Sequence, residues 1–184
     1  MLNNKLNRLG LLIIFCLSLM VLFTGCSGSG TKGTGNSDPY NLYDKVTMGQ
    51  TKSEVDKTLG VTPEKKDGTF IYADKDSGFG VQVSYDASDM VSMKAMYHSD
   101  ESKIAALSGA EVTKEKGASI TAGMTYDEVK NILGSEGLEV VQAANPADPN
   151  TPVVMMIWFN KDETGYYVAF VGNKGTVSSI NYYE

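Results

Sequence analysis

Cysteine is almost missing from this chain of 184 residues: there are two, Cys16 and Cys26, both near the N-terminus. Beyond position 26 no disulfide, thiolate zinc site or cysteine nucleophile can form. Histidine is scarcer still. The single His98 has no second histidine to share a metal with, and it reads as a polar residue at a strand end. Asp74 and Asp76 suggest an acid–base pair, but Asp74-Lys75-Asp76-Ser77-Gly78 is turn chemistry. No helix follows Gly78-Phe79-Gly80, so it cradles no phosphate. The loop at 145–152 lacks calcium-loop spacing and reads as a rigid, exposed connection. The chain therefore reads as a non-enzyme with no catalytic residues, no metal and no cofactor.

Positive charge is also short, with 16 Lys and Arg against 22 Asp and Glu. Loss of the first 25 residues would remove Lys5 and Arg8, leaving 14 − 22 = −8. Such an acidic body argues against nucleic acid as a partner and against polybasic adhesion to lipid.

The N-terminus is rich where the rest is poor. Lys5 and Arg8 precede an apolar run from Leu11 to Phe23 that ends at Thr24-Gly25-Cys26. This is the layout of a secretory signal over 1–25, and the run is shorter than the roughly 20 apolar residues of a membrane span. Phe23-Thr24-Gly25-Cys26 resembles the bacterial lipobox, which implies a diacylglycerol on Cys26 and a lipid-anchored protein on the extracytoplasmic face of the cell membrane. Residues 26–38 are Gly- and Ser-rich and form a flexible tether of about 20 Å mean reach, at ~5–6 Å times the square root of its length.

One phrase occurs twice. Gly49-Gln50-Thr51-Lys52-Ser53-Glu54-Val55 returns as Gly123-Met124-Thr125-Tyr126-Asp127-Glu128-Val129, and 123 − 49 = 74. In each copy Thr-x-x-Glu is a capping box that opens a helix. Val129, Ile132 and Leu133 form one apolar stripe, with Val55 and Leu59 as its weaker counterpart. Gly60 and Gly134 stand where each helix can close. Asp38-Pro39 predicts an earlier helix burying Leu42, Tyr43 and Val46; its counterpart around 111–120 is poorly marked. A short connecting helix is expected at 102–107. Strand signals follow at 69–72, 81–85 and 90–97, and again at 153–159, 166–171 and 177–183.

The expected fold is α+β: two tandem repeats at 39–98 and 113–184, joined by a connecting segment at 99–112. Each would be a helix pair, its second helix capped by Thr-x-x-Glu, packed on an antiparallel β-meander. Each repeat alone is small for a core, so burial against the other is expected.

The opening Leu42-Tyr43-Asp44-Lys45-Val46-Thr47-Met48-Gly49-Gln50-Thr51, with Gly123-Met124-Thr125-Tyr126-Asp127-Glu128-Val129, resembles the beta-lactamase inhibitory protein family. The resemblance implies two helix-on-sheet repeats whose protruding hairpin loops contact a protein target through an acidic residue and aromatics. Here those places are Asp74, Asp76 and Phe79 in one loop and Tyr166 and Tyr167 in the other, with Tyr166 expected at a hairpin tip. The protein partner is unidentified. The competing expectation is a structural or assembly lipoprotein of the cell envelope.

Overall fold

The sheet begins at a two-residue turn. Asp67 and Gly68 both have positive φ, 48° and 83°, the conformation that matches the twist of a tight hairpin. They join β1 (Glu64–Lys66) to β2 (Thr69–Ala73). The chain continues through β3 (Phe79–Tyr85), β4 (Val91–His98), β5 (Leu138–Ala143), β6 (Val153–Phe159), β7 (Gly165–Val171) and β8 (Thr176–Tyr183). All eight pair antiparallel in one sheet whose spatial order is the chain order. This computed structural model describes residues 38–148 and 150–184. The expected signal, Cys26 and the tether up to residue 37 lie outside the described residues.

Both capping boxes form. Thr51 opens α1 (Lys52–Leu59) and Thr125 opens α3 (Tyr126–Leu133), each with its Glu side chain returning to the cap N–H at 2.8 Å. Between them α2 (Glu101–Ser108) is capped by Asp100 and packs against β4 and β6. Gly60 and Gly134 close α1 and α3 in the left-handed conformation, which glycine adopts without a Cβ clash.

The residues before each helix are fixed by the same three bonds in both halves. Gly49 N–H donates to Val91 O, Val91 N–H to Gln50 O and Lys52 N–H to Asp89 O; Gly123, Val177 and Tyr126 do the same to Val177, Met124 and Gly175. A β-bulge follows at Ser92 and again at Ser178. Each serine hydroxyl donates to a carbonyl of the preceding strand, Ser84 or Ala169.

Two features differ from the sequence expectation. The first helix of each pair is not a helix: 39–45 and 114–119 are runs of turns. Their few apolar residues are held by backbone turn bonds and core contacts, too short a stretch to propagate a helix. Each half has four strands, within the expected meander of at least three. The added strands, β1 and β5, change the topology, because β5 pairs along β4 through Met93–Ala143, Lys94–Gln142 and Ala95–Val141. The halves thus meet edge to edge within one sheet.

Register carries one face across that seam. Val83, Lys94, Gln142 and Val154 oppose one another in turn, so the ground under α1 and under α3 is one side of the sheet. On it α3 buries Val129 and Leu133 against Trp158, Val168 and Phe170. Tyr72, beneath α1, donates its hydroxyl to Asp56 at 2.6 Å.

A polar cluster closes the seam from above. Lys94, 6% exposed, donates to Tyr43 O at 3.2 Å and Val46 O at 2.9 Å. Its ammonium lies 4.0 Å over the Tyr43 ring. Tyr43 donates to the Glu139 carboxylate and Tyr40 to Glu139 O, both at 2.8 Å. Burial lowers the Lys94 pKa, and the nearby Glu139 charge opposes that. The 38–46 turns therefore lock β4 of one half to β5 of the other.

Candidate functional site

The first expected contact loop runs between β2 and β3. Its geometry follows from Asp74, whose carboxylate accepts from the Asp76 N–H at 2.9 Å while its backbone N–H and C=O close the turn on Phe79 and Gly78. The Asp76 N–H holds the Asp74 carboxyl below its usual range. Asp74 is thus the residue that shapes the turn, and Asp76, exposed beside it, is the one presented to solvent. Lys103 of α2 donates to Ser77 O at 2.6 Å and stands over the Phe79 ring at 5.4 Å. The Ser99 N–H donates to Gly78 O at 2.9 Å. The loop is therefore pinned to the start of α2, and Phe79 is half-buried there.

The second loop, between β6 and β7, is shaped by Asn160. Its side chain accepts from Val112 N–H and donates to Val112 O and the Thr164 hydroxyl, all at 2.8 Å. Tyr166 does not occupy the tip. It is 4% exposed, its hydroxyl donates to Lys114 O at 2.5 Å, and its ring lies against Gly117, where an added Cβ would come within 2.2 Å. The expectation of Tyr166 as a contact residue is corrected: alternation from Val168 turns it into the core under α3, where the chain at 113–119 covers it.

Tyr167 points the other way. Its ring meets Phe159 edge-on at 4.8 Å, and both lie 6.2 Å from Tyr183. Tyr183 is 51% exposed. These three rings from adjacent strands form an aromatic group on the face opposite α3. Phe159 and Tyr183 were absent from the expected contact set; the signal for them was register, since Gly165 opposes both Phe159 and Tyr183.

The structure thus leaves Asp76, Phe79 and Tyr167 accessible in part, gives Asp74 a turn-forming task and withdraws Tyr166. Among the described residues no group of three or more His, Cys, Asp or Glu side chains could hold a metal. These side chains are one exposed carboxylate, a phenyl ring under a lysine and a group of three aromatic rings.

No curated protein matches the chain. A family model described as "Beta-lactamase inhibitor (BLIP)" matches residues 39–158. It takes in both capping boxes, the turns before each, and the sheet from β1 through all but the last residue of β6. That is 158 − 39 + 1 = 120 of 184 residues, more than half of the chain, and the chain belongs to the beta-lactamase inhibitor (BLIP) family.

Proposed function

We propose that this chain is an exported lipoprotein, anchored at the extracytoplasmic face of a bacterial membrane through a diacylglycerol on Cys26, whose body arose by internal duplication and binds a protein partner without catalysing a reaction. Family membership carries the reading, because the family is described by inhibition of another protein. The contact surface is the 74–79 loop, with Asp76 and Phe79, together with Tyr167 and its aromatic neighbours. Aromatic rings that are partly exposed are favoured interface anchors, and an exposed carboxylate at the rim selects partners by charge. The duplication reading rests on matching backbone bonds at 49–52 and 123–126 and on the paired serine bulges.

The test has two arms. Purified beta-lactamases are titrated against the parent chain and an Asp76→Lys/Tyr167→Ala variant, and both proteins are used to capture partners from envelope extracts. The reading expects one stoichiometric protein, bound about tenfold or more weakly by the variant. Equal binding by both chains, or capture only with membrane-embedded assemblies, would reject it. For the anchor, Cys26→Ser should leave the membrane fraction.

A further inference from the structure

The strand order leaves two edges, β1 and β8, and they are not alike. β1 is three residues long, Glu64-Lys65-Lys66, all exposed. Charged, short edges of this kind resist pairing with another strand. β8 spans eight residues with no charge from Thr176 to Tyr183, and among the described residues it has a strand partner on one side only.

The chain itself shows what such an edge accepts. β4 has the counterpart geometry: the outer side of Val91 is bonded to Gly49 and Gln50, a bulge follows at Ser92, and Met93–Ala95 then pair with β5. In β8 the outer side of Val177 is bonded to Gly123 and Met124, and a bulge follows at Ser178. Among the described residues nothing pairs with the outer side of the next ones, Ser179 to Tyr183. Their outward N–H and C=O groups form the same docking rail.

We infer that the β8 edge binds β8 of a second copy of this chain, antiparallel about a twofold axis at Asn181. That register opposes Ser179 to Tyr183 and Ile180 to Tyr182 of the other copy, with Asn181 facing its own equivalent. Ile180 and Tyr182 are partly buried against the α3 core, so the pairing places an aliphatic against an aromatic side chain and continues both cores across the axis. No charge is opposed to a like charge, because Glu184 at the strand end is already paired with Lys114 at 2.5 Å. A twofold pairing closes on itself. The alternative of β8 on β1 of the next copy is open-ended and uses the charged edge. Five paired residues bury less than the roughly 1,200 Å² at the low end of stable interfaces, so the dimer dissociates on dilution.

Sedimentation velocity of the purified chain across a wide concentration range tests this, with circular dichroism as the check on folding. A concentration-dependent dimer is expected. Asn181→Lys, at an exposed position, sets two ammonium groups opposite each other and should weaken the dimer about tenfold or more. Asn181→Cys should give a covalent dimer on mild oxidation, beyond any formed by the parent or by Thr176→Cys. A monomer at every concentration, a dimer indifferent to Asn181→Lys, or longer assemblies abolished by Lys65→Glu would each overturn the inference.

Discussion

Tyr72 and Trp158 hold corresponding places 86 residues apart (158 − 72), each on the second strand of its half and opposed to Val81 or Tyr166 in register. Tyr72 reaches the helix above it through a hydroxyl bonded to Asp56, which is itself paired with Lys52 at 2.6 Å. Trp158 donates its indole N–H to Ser135 O at 2.8 Å and packs its rings near Tyr126 and Phe170. The first half fastens its helix with a chain of polar bonds. The second does so with aromatic volume. One backbone plan thus accommodates two kinds of core, because caps, turns and bulges set the frame and the side chains need only fill it.

That contrast can be broken at its largest ring. Trp158→Ala should cost about 3–5 kcal/mol in urea unfolding, the range for removing a fully buried aromatic side chain. Tyr72→Phe removes only the hydroxyl, with its bonds to the charged Asp56 and to the Tyr85 hydroxyl, and should cost about 1.5–3 kcal/mol. Equal losses from the two changes would mean that the halves do not rely on different forces.

Lys94 tests whether the first half stands alone. At its counterpart, 180 − 94 = 86 positions on, the second half has Ile180. Lys94→Met should cost about 2–3 kcal/mol, because the carbonyls of Tyr43 and Val46 lose their buried donor. A gain in stability would show the buried charge to be the larger liability.

The backbone plan was legible in sequence where local chemistry dictated it. Thr51 and Thr125 marked helix starts, Gly60 and Gly134 marked ends, and apolar runs marked six strands. β1 was passed over because its three residues are charged and exposed, although Asp67-Gly68 is a strong hairpin signal. β5 is hidden in sequence because Glu139 and Gln142 interrupt its apolar residues; Gln142 opposes Lys94 across the seam and Glu139 meets Tyr40 and Tyr43 of the 38–46 turns, and no local pattern encodes those contacts. Lys94 within Met93-Lys94-Ala95-Met96 was the visible clue to the seam. Tyr166 was misplaced for the opposite reason: its neighbour in sequence is a loop, while its burial comes from 113–119, some fifty residues away.

Tyr43 and Gly117 also correspond, since 117 − 43 = 74, and so do Val81 and Tyr166 by strand register. In the second half a large strand residue, Tyr166, lies against a small turn residue, Gly117, where the first half has the small Val81 and the large Tyr43 at the corresponding positions. Gly117→Ala should therefore cost about 2 kcal/mol by forcing a Cβ into the Tyr166 ring. Adding Tyr166→Val, which imitates the first half, should recover much of that loss. Failure to recover would dissolve the exchange.

Alkaline titration separates the halves in another way. Burial and then the Glu136 carboxylate push Tyr126 up to about 12 from 10.0. A folded value above the unfolded one gives stability that is full below pH 10 and lost as pH rises toward 12. Tyr72 and Tyr43 act with the same sign in the first half, mainly through burial. Lys94 has the opposite sign: its folded value lies below 10.5, so its cost is relieved as pH rises toward 10.5 and changes little beyond. Tyr126→Phe should reduce the fall in stability between pH 10 and 12, read as thermal midpoint against pH.

The smallest effect asks whether the shared frame has the same strength in both halves. Thr51 and Thr125 each accept the Glu N–H at 3.3 Å and donate a hydroxyl to the Glu carboxylate at 2.9 and 2.8 Å. Thr→Ala at either site should cost about 1 kcal/mol. The backbone bridges to Met90 and Thr176 do not involve the side chains and should survive both changes. The apolar stripe of α3 is fuller than that of α1, yet a cap satisfies terminal N–H groups and not the buried face, so the packing difference should not enter. Matched losses place the cap in the common frame; a much larger loss at Thr51 would mean that α1, with fewer apolar contacts, depends on its first turn to form at all.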